Sequence, residues 1–350
     1  MLVRSSLNND MEAQVSFWKL TQKYDLYNFQ LSSGIELPKN YYNDGGYGTS
    51  AKLSWKYDVH NIVLGADFDS KKLESNAIAG NEQGLKKWAY YLNDTISVDR
   101  LSLTPGIRHD KTDTNGNFTS PSLGITYKIA DSSLLRAYAS RGFSIPPFAA
   151  TYGDNVFHIS NPDLKMERVW AYELGAESTA LPYVWLKLSL FRHEISGGIR
   201  AEALSPTTST SVNKGKERRQ GIEIEMKSLP VYHTSVIVGA SFMNARDLDT
   251  GATIPNIPQR TYDLGLQFED NSFKALLKGH YVYWNADPTF NGKYNSLIVD
   301  LHITKEFYTH HEQTIEAYAD LHNIFNGSQY LVDVYKNPAR WFEAGVRYAF

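Results

Sequence analysis

Cysteine is absent from this chain, and neither sign of charge dominates it. The 350 residues include 35 Lys and Arg against 38 Asp and Glu, which gives a formal net charge of −3. A chain without cysteine has no disulfide framework and no thiolate metal site. A chain without a basic excess gives no indication of a nucleic-acid partner. The absence of cysteine fits a bacterial exported protein.

Long apolar runs are also missing. The sequence has no stretch of about 18 consecutive apolar residues, which excludes a protein that crosses membranes with helices. Its mean hydropathy is −0.40. A β-barrel is not excluded, because lipid-facing and lumen-facing residues alternate along its strands and the average cancels. Residues 1–10 have no apolar core and no small-residue cleavage site, so they are not a secretory signal. Since an outer-membrane protein needs such a signal, we expect the natural start to lie upstream.

Apolar and polar residues alternate with a period of two from end to end. In one segment, Leu53 and Trp55 share a face and Lys52 and Ser54 share the other. This period predicts strands with one apolar and one polar face. About 17 strands are expected, at residues 11–20, 24–32, 48–58, 61–70, 86–98, 100–111, 117–129, 133–142, 168–180, 183–202, 209–228, 232–246, 257–269, 272–286, 295–307, 312–324 and 341–350. Residues 1–7 are a candidate stub of another strand, and no segment predicts a helix.

The lengths of strands and connections distinguish a membrane barrel from a soluble sheet. Most predicted strands exceed ten residues, whereas soluble strands have about 5–6 and a tilted bilayer crossing needs about 9–11. Tight connections, such as Thr21-Gln-Lys23, alternate with long ones, such as 33–47, 71–85 and 143–167. Short turns on one side and long loops on the other are typical of outer-membrane proteins. The sequence therefore predicts an all-β fold, an antiparallel up-and-down transmembrane β-barrel that forms a single domain over residues 1–350.

Five short motifs follow one another in a recognisable order. They are Arg141-Gly142-Phe143 with prolines close behind, Asn161-Pro162 before a Tyr-Glu-Leu-Gly strand that contains Glu173 and Gly175, the Gly-Ile-Glu strand that starts at Gly221, the segment from Asn323 to Phe325, and a last strand that ends on the aromatic Phe350. Together they resemble the barrel domain of the TonB-dependent outer-membrane receptors, which import iron–siderophore complexes, haem and cobalamin. The resemblance spans roughly residues 86 to 350.

The resemblance implies several properties that the residues alone do not give. A full barrel of this kind has about 22 strands around a plug, so we expect this chain to be incomplete on its N-terminal side and to lack the plug. The implied partners are a metal chelate at the outer loops, outer-membrane lipid, the inner-membrane energy coupler through the absent plug, and the barrel-insertion machinery through the C-terminal strand. The implied location is the outer membrane of a Gram-negative cell.

Aromatic and charged residues in the long loops are the candidate ligand contacts. Flat, partly apolar chelates suit large aromatic surfaces. The candidates are Tyr152, Phe157, His158, Trp284, Phe290, Tyr294, Tyr335 and Arg340. The histidines show no metal-ligand spacing, and no nucleophile elbow is present. We therefore expect no metal site, no cofactor and no catalytic residue.

Two other functions remain open at this point. A passive, porin-like diffusion channel would share the same strand pattern and would close on its own. A soluble β-rich adhesin or propeller is the more remote alternative.

Overall fold

The computed structural model describes residues 1–27, 36, 38–154, 158–285, 296–310, 313–332 and 335–349, with the backbone alone at 330–332 and 335–336. Its strands are β1 (Leu2–Ser6), β2 (Met11–Leu26), β3 (Asn40–Tyr57), β4 (His60–Ser75), β5 (Glu82–Val98), β6 (Leu101–Thr112), β7 (Asn117–Ala130), β8 (Ser133–Ser144), β9 (His158–Ile159), β10 (Glu167–Ser178), β11 (Val184–Ser196), β12 (Ile199–Ala203), β13 (Ser209–Asn213), β14 (Lys216–Ser228), β15 (Thr234–Asp247), β16 (Pro258–Glu269), β17 (Phe273–Trp284), β18 (Ile298–His310), β19 (Gln313–His322), β20 (Tyr330–Val332), β21 (Tyr335–Lys336) and β22 (Trp341–Ala349).

Within the described residues, 17 strands belong to one large sheet. Its strands pair antiparallel with their neighbours in chain order, as from β1 to β7 and from β15 to β19 and β22. The predicted antiparallel up-and-down all-β fold is confirmed. A separate small sheet contains β12, β13 and β9, and β20 pairs with β21.

The chain divides into two compact units. Unit 1 contains Met1–Tyr127, Ala137–Tyr172 and His193–Glu217, and unit 2 contains Lys128–Arg136, Glu173–Arg192 and Arg218–Phe350. The single domain expected over residues 1–350 stays a prediction. In the described part of the chain the one helix is α1 (Phe148–Tyr152), a single turn, and no helix there is long and apolar enough to cross a membrane.

The two strands predicted at the start of the sequence are in fact one. β2 runs from Met11 to Leu26 without a turn and pairs with β3 along its whole length, up to Leu26 opposite Asn40. The expected turn at residues 21–23 was wrong because Thr-Gln-Lys contains none of the Gly, Pro, Asn or Asp residues that favour turns. The rest of the predicted strand 24–32 lies outside the described residues after position 27. The predicted stub at residues 1–7 is confirmed as β1, which pairs with β2.

Two long strands predicted in the middle of the chain are each divided in two. The segment 183–202 separates into β11 and β12, and the segment 209–228 separates into β13 and β14. A glycine with a positive φ lies at each break, Gly197 at 66° and Gly215 at 105°. Such a backbone conformation interrupts a strand, and glycine adopts it without steric cost. β12 and β13 then pair with each other as a hairpin beyond the large sheet.

The strands of the large sheet have two chemically different faces. Lys187 on β11 forms an ion pair with Glu225 on β14, and Arg347 on β22 pairs with Glu316 on β19. Leu188, the neighbour of Lys187, lies on the opposite face because successive side chains alternate. We call these two sides of the strands the polar face and the apolar face. The predicted division of charged and apolar residues is present.

Candidate functional site

A cluster of charged side chains lies on the polar face of unit 1, across β4 and β6. Arg108 donates from Nε to both carboxylate oxygens of Asp110, at 2.9 and 3.2 Å, and from Nη1 to Asp67 Oδ2 at 2.7 Å. Asp110 is only 1% exposed. We call these three residues the Arg108 cluster. Charge-assisted, bidentate contacts are the strong type of hydrogen bond, so the cluster ties β6 to β4 across β5.

Small residues make room for the cluster. Ala89 on β5 lies between Asp67 and Asp110 in the register of the three strands, and it is fully buried. One step along, Gly65 lies opposite Tyr91, and a Cβ atom at Gly65 would stand 2.1 Å from the Tyr91 ring. Tyr91 therefore lies over the bare backbone of β4. Its ring in turn supports Arg108, whose guanidinium carbon lies 5.5 Å from the ring centroid.

A row of aromatic side chains extends along the polar face of β2 and β3. Trp18 covers Gly46 and Gly48, where added Cβ atoms would lie 3.2 and 2.4 Å from the indole. Further along the same strands, the rings of Tyr24 and Tyr42 stack with centroids 4.8 Å apart. We call Trp18, Tyr24 and Tyr42 the aromatic row. Sequence reasoning missed it, although two glycines at alternate positions of a strand were a signal that a large side chain lies over them.

The long loops of unit 1 contact one another and contain buried apolar residues. Ile78, Leu164 and Met166 are buried. The backbone N–H of Ala79 donates to the carbonyl of Tyr152 at 2.7 Å, which joins the loop after β4 to α1. β9 adds to β13 in the small sheet. Loops from distant parts of the sequence therefore form one assembly, which we call the loop cap.

Two predicted ligand contacts, Tyr152 and His158, lie in this loop cap. The Tyr152 ring is 6.1 Å from that of Phe148 on the same helical turn. His158 Nδ1 lies 3.5 Å from Ser209 Oγ, and its buried Nε2 has no hydrogen-bond partner among the described residues. The structure places both residues where the long loops meet. Their ligand contacts stay a prediction.

The other predicted ligand contacts lie in unit 2 or outside the described residues. Arg340 Nη1 donates to the carbonyl of Ile324 at 3.3 Å, so its side chain is held by its own loop. Trp284 ends β17, with its indole N–H buried and unbonded among the described residues. Tyr335 pairs through its backbone with Val332. Phe157, Phe290 and Tyr294 lie outside the described residues.

The first two motif segments have structural roles near the loop cap. The Arg141 guanidinium carbon lies 4.6 Å from the centroid of Phe118, whose ring contacts that of Phe143 at 4.9 Å. Asn161 donates to the carbonyl of Ser211 at 2.8 Å and accepts from the N–H of Asp163 at 3.1 Å. The turn at Asn161-Pro162 is thereby fastened to β13. Gly142 lies on β8, where a Cβ atom would come within 3.2 Å of Val169.

Three further motif residues lie in unit 2. Two of them are glycines that other residues approach closely. Glu173 accepts from Ser189 Oγ at 3.3 Å and faces Arg136 at 3.9 Å. A Cβ atom at Gly175 would lie 2.6 Å from Arg136 Nε, and one at Gly221 would lie 2.1 Å from the carbonyl oxygen of Phe242. Both glycines therefore permit close approach.

Asn323 organises the last described loop. It is 3% exposed, and its Nδ2 donates to the carbonyls of Gly327 and Pro338, at 2.9 and 3.0 Å. Its Oδ1 accepts from the N–H of Gly327 at 2.7 Å. Phe325 in the same motif is 71% exposed. Phe350 lies outside the described residues.

Histidines on the polar face pair with single carboxylates. His280 Nδ1 lies 2.7 Å from Asp263 Oδ1, and His322 Nδ1 lies 3.9 Å from Asp300 Oδ1. Among the residues with described side chains, no three His, Asp or Glu residues come together as a metal site would require.

Long antiparallel strands with one charged and one apolar face define the class of outer-membrane β-barrel proteins. Residues 4–341 match the family described as TonB dependent receptor-like, beta-barrel, and the chain belongs to this family. Its members are receptors and transporters of the Gram-negative outer membrane, so the chain is an outer-membrane protein and not an enzyme.

One curated relative and many solved structures are similar to the chain. Over 122 residues it is 32% identical to the vitamin B12 transporter BtuB of Vibrio vulnificus (strain CMCP6), which covers 33% of this chain and 19% of that protein. A mutant of the ferric enterobactin receptor PfeA from Pseudomonas aeruginosa matches 99% of this chain with a TM-score of 0.76 and 16% identity. The ferric-catecholate import receptor Fiu from E. coli matches 100% with 0.75 and 13%. The copper transporter OprC matches 100% with 0.77 and 15%.

These structural matches show the fold alone, because the identities are low. The chain spans 60% of the PfeA chain, 63% of the Fiu chain and 65% of the OprC chain.

Proposed function

We propose that the chain is the barrel portion of an active importer that binds a scarce metal chelate at its outer loops. The chelate is an iron–siderophore complex, haem or cobalamin, and the inner-membrane energy coupler drives its uptake. The observation that carries this proposal is the aromatic row, which lies on the polar face. A flat, partly apolar chelate gains more from stacking on exposed rings than a small polar solute in a water-filled pore would.

Charge and position of the neighbouring groups support the same ligand class. The aromatic row shares β2 and β3 with Ser50, which donates to Asp67 of the Arg108 cluster at 2.6 Å. Rings and charged groups therefore lie on one continuous face. A chelate with an apolar ligand frame and charged metal-binding groups fits such a mixed surface. The names of three similar proteins, which refer to vitamin B12, ferric enterobactin and ferric catecholates, agree with this class, and the name of a fourth refers to copper.

Uptake in cells tests the proposal. The full natural reading frame that encodes this chain is expressed in a host without its own siderophore and cobalamin receptors. Uptake of radiolabelled ferric siderophores, haem and cobalamin is then measured with and without the energy coupler. We expect saturable, coupler-dependent uptake of one of these ligands. Uptake that rises linearly with concentration and needs no coupler would instead establish a passive channel.

Matched variants connect uptake to the aromatic row. Trp18→Ala and Tyr42→Ala remove rings from the polar face. Tyr47→Ala removes a ring from the opposite face of the same strand, where Tyr47 is 48% exposed. We expect the first two to weaken ligand binding about tenfold, the loss of about 1–1.5 kcal/mol expected for an aromatic contact, and the third to leave it unchanged. Equal effects of all three would remove the support that the aromatic row gives.

A further inference from the structure

Two Asn-Gly pairs lie in the described part of the chain, where the backbone can attack the asparagine side chain. They are Asn115-Gly116, in the turn between β6 and β7, and Asn326-Gly327, in the last described loop. A third pair, at residues 291–292, lies outside the described residues. Because glycine has no Cβ atom, its backbone nitrogen can approach the amide carbon of the asparagine before it. The surroundings of each pair therefore decide whether the reaction takes place.

The two pairs differ in the hydrogen bond of the attacking nitrogen. The N–H of Gly327 donates to Asn323 Oδ1 at 2.7 Å, and this bond must break before the nitrogen can attack. Among the described residues, the N–H of Gly116 makes no hydrogen bond. The nitrogen of Gly116 is therefore available for attack, whereas that of Gly327 is held.

The space around the two glycines differs in the same direction. Nothing lies within 4 Å of a Cβ atom built at Gly116, whereas one built at Gly327 would lie 2.6 Å from the carbonyl oxygen of Leu297. Ring closure between backbone and side chain needs room for the glycine to move toward the asparagine. Gly116 is also exposed to solvent. Water, which the later step of the reaction consumes, therefore reaches this turn.

The two amide groups under attack are alike, so they do not distinguish the pairs. Thr114 Oγ1 donates to Asn115 Oδ1 at 2.8 Å, and the backbone N–H of Arg340 donates to Asn326 Oδ1 at 3.0 Å. A donor at the amide oxygen stabilises the negative charge that develops there when the carbon is attacked. The Asn115 amide has a defined orientation, because its Nδ2 donates at 3.1 Å to the carbonyl of Leu164, which can only accept.

We propose that Asn115 is a site of spontaneous deamidation and that Asn326 is protected from the same reaction. The nitrogen of Gly116 forms a bond to Cγ of Asn115 and loses its proton to water. The bond from Cγ to Nδ2 breaks, and ammonia leaves. Water then opens the resulting five-membered imide at one of its two carbonyl groups, which gives aspartate or isoaspartate at position 115. No oxidation or reduction takes place.

The product cannot keep the contact that Asn115 makes with the loop cap. A carboxylate has no N–H to donate to the carbonyl of Leu164, and its negative charge faces that carbonyl oxygen. The lost bond joins the turn to the segment that contains the buried residues Leu164 and Met166. Deamidation therefore loosens this part of the loop cap irreversibly, since ammonia is lost. The change is independent of the imported ligand.

Peptide mapping by mass spectrometry tests the proposal on the protein in phospholipid vesicles, incubated at slightly alkaline pH. An isoaspartyl methyltransferase detects the isoaspartate product. We expect position 115 to convert about tenfold faster than position 326, the effect of one hydrogen bond that must break before attack. After unfolding in denaturant the two positions should convert at similar rates, because they share the same dipeptide. Equal rates in the folded protein would overturn the proposal.

Variants of Asn323 separate protection of the nitrogen from general loosening of the loop. Asn323→Ala removes the acceptor of the Gly327 N–H and should speed conversion at position 326 about tenfold. Asn323→Asp keeps an acceptor oxygen and should leave conversion slow. Both variants lose the two bonds from Asn323 Nδ2, so loosening would affect them alike. Equal conversion in the two variants would overturn the protection by the hydrogen bond.

Variants of Thr114 test the donor at the amide oxygen of Asn115. Thr114→Val removes the hydroxyl group and should slow conversion at position 115 about threefold. Thr114→Ser keeps the hydroxyl group and should convert like the unmodified protein. An unchanged rate in Thr114→Val would overturn the role assigned to Thr114.

Hydrogen exchange tests the loosening of the loop cap. Asn115→Asp reproduces one product of the reaction and should speed exchange in residues 161–166 about tenfold, the effect of one lost hydrogen bond. Asn117→Asp is the matched control, because it adds the same charge at an exposed side chain two positions along the chain. Protein that has been deamidated by incubation should behave like Asn115→Asp. Unchanged exchange in Asn115→Asp, or an equal increase in Asn117→Asp, would overturn the consequence for the loop cap.

Discussion

The guanidinium group of Arg108 binds the carboxylate of Asp110, its neighbour two positions along β6, through both Nε and Nη2 at 2.9–3.2 Å. The carboxylate is almost completely buried. Without the guanidinium, its charge would lie in a region of low dielectric constant with no compensating charge of its own strand. Arg108 therefore stabilises the buried charge of Asp110.

We expect Arg108→Gln to lower the free energy of unfolding by about 3 kcal/mol, the loss typical of removing one partner of a buried ion pair. The measurement is urea unfolding of the protein refolded into phospholipid vesicles. Lys72→Gln is the control, because Lys72 binds Glu74 and Glu82 at an exposed position and its loss should change the result little. If Arg108→Gln lowers the free energy of unfolding as little as Lys72→Gln does, the buried Asp110 does not need Arg108 as its partner.

The contact between Gly65 and Tyr91 gives a second prediction. Gly65→Ala would place a methyl group 2.1 Å from the Tyr91 ring and force the ring off the strand, at a cost of about 1–3 kcal/mol for overpacking. Gly45→Ala is the matched control, because nothing lies within 4 Å of a Cβ atom there. Unfolding in urea should show a lower free energy of unfolding for Gly65→Ala than for Gly45→Ala. The explanation fails if both are equally stable.

The absence of cysteine makes the two faces accessible to chemical labelling. Lys187→Cys and Leu188→Cys place single thiols on neighbouring positions of β11, one on each face. In membranes, a water-soluble maleimide should label the first readily and the second poorly, because a thiol in lipid does not ionise. Labelling after solubilisation in denaturant is the control. Faster labelling at position 188 would reverse the assignment of the faces.

The end of β4 near the loop 76–81 should respond to acid. Glu74 and Glu82 lie directly opposite each other on β4 and β5, and Lys72 binds both at 2.9 Å. The hydrogen bond from Lys72 holds the pKa of Glu74 below its usual value of 4.5. A carboxylate with a lowered pKa contributes stability that is fully present above the usual value and is lost as the pH falls through the lowered one. The pKa of Lys72 is raised by its hydrogen bonds to the two carboxylates, so its contribution is lost only in strong base.

We therefore expect hydrogen exchange in residues 76–81, corrected for the intrinsic rate, to speed up as the pH falls below 4.5. Lys72→Gln should remove most of this pH dependence, and Lys71→Gln should keep it. Exchange that stays constant down to the lowest accessible pH would show that this ion pair does not hold the loop.

Asn323 provides the last prediction. Its φ of 49° suits asparagine or glycine, and its side chain makes three hydrogen bonds within the loop. Asn323→Ala loses both features and should destabilise the loop by about 2–3 kcal/mol, seen as faster protease cleavage in residues 323–340. Asn323→Gly keeps the backbone conformation and should lose less. Cleavage of the glycine variant as fast as the alanine variant would show that only the side chain matters.

The strands of the large sheet were predictable from the sequence because a period of two is a local signal. The strand expected at 117–129 is observed at Asn117–Ala130, and the strand expected at 257–269 at Pro258–Glu269. Turn residues between such segments then fix the order of the strands. Boundaries failed where a glycine interrupted an otherwise regular pattern, as at Gly197 and Gly215, since local periodicity does not reveal a change of φ.

The Arg108 cluster, the aromatic row and the loop contacts were less predictable. They depend on the register between paired strands, which a local pattern does not give. That Arg108 and Asp110 share a face follows from their spacing, but the bond from Arg108 to Asp67 joins residues 41 positions apart. Tryptophan is typical of membrane interfaces, whereas the position of Trp18 on the polar face, over Gly48, follows from its pairing with that residue. Loop contacts such as those of Asn161 likewise require the assembled loops.

The hairpin of β12 and β13 has a consequence for how this protein can change during evolution. Its strands have their own register, from Ile199 opposite Asn213 to Ala203 opposite Ser209, and a glycine with positive φ separates each of them from the large sheet. Residues added in pairs at its tip would lengthen the hairpin without moving any side chain of β11 or β14 to the other face. Insertions and deletions can therefore accumulate here, and new specificity can arise, while the membrane-facing scaffold is inherited unchanged.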